Sequence, residues 1–205
     1  MKRIKVAILD YEVGNHSSVK NCLDRLGFIT YVASDISDLQ KADLLMLPGV
    51  GAFHTAMSNL QRMELADYLK KWVIEGRPLL GICLGMQVFS FSSTEGTLEK
   101  GLAMIEGNVR SLSEQNTFHI GWNEIKLTQP DSFFSKFDGG YFYFNHSFAY
   151  EADTEGAVSN TFYGRSFPSI VKHGMVVGLQ FHPEKSQDLG KELLSGLIRE
   201  MVHGF

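Results

Sequence analysis

Only two cysteines occur among the 205 residues, so no disulfide framework braces this chain. Prolines number five, and no proline-, glycine- or serine-rich stretch, repeat or low-complexity segment divides the sequence. No run approaches the roughly 18 apolar residues of a membrane span. The first apolar run, in "MKRIKVAILD", stops at Asp10 and reads as a first strand rather than a signal peptide. Basic charge is not in excess either. Lys and Arg total 19 against 23 Asp and Glu, a net charge of −4 with a pI near 6.0, which gives no footprint for DNA or RNA. With no export signal and a reactive-looking thiol, the expected location is the reducing cytoplasm.

What remains alternates between apolar strands and amphipathic helices. "KVAILD" leads to a helix over "NHSSVKNCLDRLG", closed by Gly27, and then to the strands "FITYVA" and "ADLLMLP". "ELADYLKKWVIEG" sets Leu65, Ala66, Leu69, Trp72 and Val73 on one helical face, and Gly76 ends it. From "NVRSLS" to "KHGMVVGLQF" the pattern turns to strands separated by Gly, Asp and Asn, and "DLGKELLSGLIREMV" closes as a helix. The expected fold is α/β: a mostly parallel sheet flanked by helices, with an added antiparallel region, in one domain spanning 1–205. Cys22, on the apolar pattern of the first helix, reads as core.

The second cysteine is placed differently. In "GICLGMQ" (81–87) Cys83 follows a short buried strand and precedes a helix start, between two glycines where a Cβ would crowd the backbone. That is the strand-turn-helix setting of a nucleophile elbow, with Cys in place of Ser. A helix N-terminus there favours thiolate over the ordinary thiol. Taken alone, Cys83 reads equally well as a small residue packed beneath a sheet. "GLQFHPEKS" (178–186) supplies a partner: His182 at a strand end broken by Pro183, and Glu184 two residues on to fix the imidazole tautomer. Elbow and base together carry more than either does, because each provides what the other lacks.

These two motifs resemble those of the class I (triad) glutamine amidotransferases. "LDYEVGNHSSVKN" (9–21), "LPGVGAF" (47–53), "HIGWNEI" (119–125) and "YFYFNHSF" (141–148) are, in order, most similar to the glutaminase subunits of imidazole glycerol phosphate synthases. The resemblance runs from about residue 5 to the C-terminus. It implies hydrolysis of glutamine by Cys83, His182 and Glu184, with an oxyanion hole from the backbone of Leu84 and of Val50 or Gly51. The "PGVG" turn by itself reads as a simple strand ending. The resemblance further implies substrate contacts at Gln87, Glu95, His146 and Ser147, and no metal or cofactor. It places Asn15, His16, Trp122, Tyr143 and Lys185 toward a (β/α)8 cyclase in a heterodimer that takes up the ammonia for histidine biosynthesis.

Four residues depart from the family pattern. Glu12 stands where Gly is usual, His16 where an aliphatic is usual, Glu106 where Pro is frequent, and Phe118 replaces the Pro before the G-W-N stretch. Paralogues feeding other pathways, such as amidino-sugar synthesis, therefore stay open as an alternative. So do a free-standing cysteine hydrolase and a non-catalytic binding module.

Overall fold

The computed structural model describes residues 3–112, 118–151 and 153–204. The N-terminal half alternates as expected: β1 (Lys5–Leu9), α1 (His16–Arg25), β2 (Ile29–Ala33), α2 (Ile36–Leu39), β3 (Leu44–Gly49), α3 (Phe53–Arg62), α4 (Leu65–Ile74), β4 (Leu79–Cys83) and α5 (Leu84–Gln87). Short strands follow: β5 (Ser92–Ser93), β6 (Glu99–Lys100), β7 (Asn108–Ser111), β8 (His119–Glu124) and β9 (Lys126–Leu127). The chain then forms β10 (Tyr141–His146), β11 (Phe148–Tyr150), β12 (Ala157–Tyr163), β13 (Arg165–His173), β14 (Val176–Leu179) and α6 (Gln187–His203).

The main sheet has the order β2-β1-β3-β4-β14-β13-β12-β9. Pairs from β2 through β14 are parallel, and those from β14 to β9 are antiparallel. The parallel strands read "KVAIL", "LLMLPG", "LLGIC" and "VVGL" because helices cover both faces, leaving no position for polar side chains. Alternation along β3 sends Leu44 and Met46 to a core shared with Val19 and Leu23 of α1 and Leu193 and Leu197 of α6. Leu45 and Leu47 go to the opposite core, with Phe53 and Leu60 of α3 and Leu69 and Trp72 of α4. Cys22 is buried in the first of these cores, as its spacing predicts.

Parallel strands leave their carboxyl ends at one edge of the sheet, where ligands of such folds bind. Tyr11 follows β1, Pro48 and Gly49 end β3, Cys83 ends β4, and His182 follows β14. Close packing at that edge explains the elbow's second glycine. A Cβ on Gly85 would fall on the Leu47 carbonyl, so backbone meets backbone where β3 passes α5. Gly85→Ala is expected to cost about 3 kcal/mol in denaturant titration, because neither backbone can yield. A cost under about 0.5 kcal/mol would mean the two segments can part freely.

Pairing with distant segments sets where the elements around the site end. The elbow helix lasts one turn: the Val88 carbonyl accepts from Leu102 and the Phe91 N–H donates to Gly107, drawing the chain into the 101–107 segment. The strand before His182 ends at Leu179, not Phe181, and Pro183 opens a short 3-10 helix (Pro183–Lys185). In "YFYF" only Phe142 and Phe144 are buried, because β10 alternates and turns Tyr141 and Tyr143 outward.

Candidate active site

Cys83 adopts φ 54° and ψ −112°, a conformation that L-residues rarely hold. The neighbouring strands and turn impose it, since Cys83 pairs with Gly49 of β3 while Leu84 already begins α5. Cys83 thus lines a pocket of about 620 Å³ and is itself nearly buried. Val50, Gly51, Leu84, Gln87, Glu95, His146 and Ser147 line the same pocket, together with Phe118, Asn145 and Phe148. A second groove, of about 680 Å³, runs along α4 past Trp72 and Arg77 and contains no cysteine or histidine.

His182 lies within interaction range of the thiol. Its Nδ1 is 2.9 Å from Glu184 Oε1, and both side chains are almost fully buried. Burial pulls the imidazole pKa down, but the negative charge of a Cys83 thiolate, followed by Glu184, outweighs it and raises the pKa to about 10. Beside a charged Cys83 sulfur the imidazole is thus held protonated. Nε2 makes no hydrogen bond of full geometry, and neither does Glu184 Oε2. Both residues border a small cavity of about 10 Å³, shared with Asn15, Pro48 and Val50, which is close to the space of one water. A catalytic bond left loose without substrate is common.

Leu84 is the first residue of α5, so its N–H has no acceptor within the helix. Across the pocket the Tyr11 hydroxyl donates to the Pro48 carbonyl at 2.7 Å, pinning β3 up to its last residues. Beyond that pin Val50 is exposed, and Gly51 holds φ +119° with open space where a Cβ would stand. Glu95 reaches back 42 residues in sequence to accept the Phe53 N–H at 2.8 Å, capping α3, which has no cap of its own. Burial raises its carboxyl pKa, partly offset by that bond and by His54. Its other oxygen remains for a ligand.

His146 brings in a residue that the sequence motifs do not single out. Its Nδ1 donates to the Phe148 carbonyl at 2.8 Å, and its Nε2 faces Nδ1 of His119 at 3.1 Å. His119 is stacked between Phe144 and Tyr163, with ring centroids at 4.7 and 4.3 Å, and its Nε2 accepts from Asn123 Nδ2 at 3.1 Å. The register pairing His146 with His119 across β10 and β8 creates this contact, which no local spacing encodes. Burial lowers the pKa of His119 to about 4 and that of His146 to about 3, so both stay neutral at pH 7. Lowered folded-state values mean the unfolded chain binds more protons in acid. Stability is therefore expected to fall as pH drops from about 6.5 toward these values, by up to about 1.4 kcal/mol per pH unit for each ring. His119→Gln should lose one ring's share of that slope in urea melts from pH 7 to 4. An unchanged slope would mean His119 is already solvated.

The five residues expected toward a partner fall into two groups. Tyr143 opposes Trp122 across β10 and β8, the rings meet edge to face at 6.2 Å, and Lys185 Nζ lies 5.9 Å above Tyr143. Asn15 and His16 have work inside the chain: Asn15 caps α1 by accepting from Ser18 N at 3.2 Å, and His16 Nε2 lies 3.1 Å from the Leu9 carbonyl. Glu12 holds φ 64°, which explains why glycine suits that position, and its carboxylate pairs with Arg62 at 2.5 Å. Among the described residues no helix is long and apolar enough to cross a membrane, and no group of three or more His, Cys, Asp or Glu could hold a metal ion.

Comparison with known proteins identifies the fold and the family. Solved structures share the fold: PurLQS from Thermotoga maritima has a TM-score of 0.77 at 18% identity, covering 97% of this chain and 99% of that one. A glutamine amidotransferase from the same organism gives 0.72 at 18% identity, covering 100% of both chains. At the level of sequence, imidazole glycerol phosphate synthase subunit HisH of Shouchella clausii is 41% identical over 196 residues, 92% of this chain and 95% of its own. The HisH protein of Listeria monocytogenes is 37% identical over 194 residues, 93% of each. The pattern described as "Glutamine amidotransferase class-I" matches residues 7–199, and the chain belongs to that family, as a close relative of its HisH subunits.

Proposed function

We propose that this chain is the glutaminase subunit of an imidazole glycerol phosphate synthase, built as one amidotransferase domain. It hydrolyses glutamine and passes the ammonia to a (β/α)8 cyclase partner for histidine biosynthesis. The observation that carries the reading is the strained Cys83, which lines the 620 Å³ pocket, beside a buried His182–Glu184 pair. The Cys83 thiolate attacks the side-chain amide carbon of glutamine, and the carbonyl electrons move onto oxygen. N–H groups of Leu84 and of Val50 or Gly51 receive that oxyanion. His182 gives its Nε2 proton to the nitrogen, the C–N bond breaks, and ammonia leaves a glutamyl thioester. Neutral His182 then takes a proton from water, whose oxygen attacks the thioester and releases glutamate. Glu184 keeps Nδ1 protonated throughout, so Nε2 always faces the reacting atoms.

Ammonia released into water is protonated and lost as a nucleophile, so a sealed partner is useful. Trp122, Tyr143 and Lys185 form a continuous outward patch suited to docking. The patch is tied to the site, because the Tyr143 carbonyl accepts from the His182 N–H at 2.8 Å. The Val50–Gly51 turn, held at Pro48 by Tyr11 and at Phe53 by Glu95 but exposed between them, supplies a two-state element that a bound partner can bias. Lys185→Ala or Trp122→Ala is expected to weaken partner stimulation about tenfold, the effect of losing one interface anchor, and to leave the unpartnered rate unchanged. Glutamine turnover, measured with and without a (β/α)8 cyclase and its acceptor, tests this. A chain that alone runs at its full partnered rate would be an autonomous glutaminase.

A further inference from the structure

Hydrogen-bond polarity around Cys83 implicates a residue outside the triad. Gln180 is fully buried, and its Nε2 lies 3.8 Å from Cys83 Sγ while its Oε1 lies 3.1 Å from Gln87 Nε2. Which end of each amide points where follows from what each neighbour can accept. Gln87 stands 2.7 Å from the Phe148 carbonyl, which only accepts, so Gln87 must present its NH2 there. His146 donates to the same carbonyl and fixes it. The second hydrogen on the Gln87 nitrogen goes to Gln180, which must therefore present its oxygen. The Gln180 NH2 is left facing sulfur. The Asn145 carbonyl, also 3.8 Å from the sulfur, can hold a thiol proton but repels a thiolate.

We propose that Gln180 is a further catalytic residue. Its amide N–H, aimed by the Phe148 carbonyl through Gln87, stabilises the thiolate of Cys83 both before attack and as the leaving group of the thioester. This rests on Cys83 being the nucleophile. His182 cannot hold the sulfur at every stage, because it gives its Nε2 proton to the leaving amine and its charge disappears with it. Gln180 remains a donor whatever the state of the imidazole. The same polarity narrows the role of Gln87: both its amide hydrogens are committed within the protein, so it can meet a substrate only through its oxygen, as an acceptor.

The test is the rate of Cys83 alkylation by iodoacetamide at pH 7 in the full chain, read by peptide mass mapping. It is paired with kcat and KM for glutamine in the presence of the cyclase. Gln180→Leu removes the donor and is expected to slow alkylation roughly 10- to 100-fold, the worth of a hydrogen bond to a charged group, with kcat falling and KM unchanged. Gln180→Glu keeps the size and the acceptor for Gln87 but turns a carboxylate toward the sulfur, so alkylation should slow at least as much. Gln87→Leu frees Gln180 to rotate and should give a smaller loss. Wild-type alkylation rates in either folded Gln180 variant would overturn the proposal. Because alkylation needs no glutamine, slowed labelling alongside a wild-type chain that never hydrolyses glutamine would sink the proposed function and leave standing only the part of this inference in which Gln180 stabilises the Cys83 thiolate before attack.

Discussion

Cys83→Ala is expected to reduce glutamine turnover by about 10⁵-fold or more, to the level of the uncatalysed background, with the fold intact. Alanine shares the backbone limits of cysteine, so the strain at φ 54° is unchanged and only the sulfur is lost. The second thiol cannot substitute. Cys22 is buried on α1, and burial raises its thiol pKa, keeping it protonated at neutral pH. Glutamate release by the variant, measured with partner present, should be indistinguishable from buffer. Substantial residual turnover would place the chemistry elsewhere.

His182→Ala should be nearly as severe, about 10⁴- to 10⁶-fold, because one imidazole serves three purposes. In the proposed reaction it takes the thiol proton, protonates the leaving nitrogen and activates water. Glu184→Gln is expected to cost less, about 10²- to 10⁴-fold: the amide oxygen can still accept from Nδ1, but the negative charge that helps hold His182 protonated is gone. The gradient between these variants is the signature of a triad. Equal and mild losses in both would identify a different base. Single-turnover measurements at saturating glutamine separate this chemical defect from any change in binding.

The parts of the site legible in the sequence are those whose geometry is local. Gly81, Cys83 and Gly85 encode the elbow because the close approach of Leu47 to Gly85 demands a residue without a side chain. His182 and Glu184 meet at a separation of two residues. What the sequence does not display depends on distant segments. α3 carries Phe53, Ala56, Met57 and Leu60 at helical spacing, yet its start is capped by Glu95 rather than by a neighbour, so no N-terminal signal precedes it. The length of α5 is set by pairing with residues 101–107, which its own composition does not reveal. The contact of His119 with His146 exists only through the β8–β10 register, and the role of Gln180 only through the polarity of a carbonyl on another strand. Propensity and spacing do not register such cross-chain constraints.

The central claim is that Cys83 is a glutamine-directed nucleophile, and its most direct measurement is covalent. A glutamine analogue carrying an electrophilic chloroketone in place of the amide should add once per chain. Peptide mapping should find it on Cys83 and not on Cys22, and excess glutamine should slow the labelling in proportion to its occupancy of the pocket. Labelling of Cys22 at an equal rate, or labelling of Cys83 that glutamine does not slow, would contradict the account.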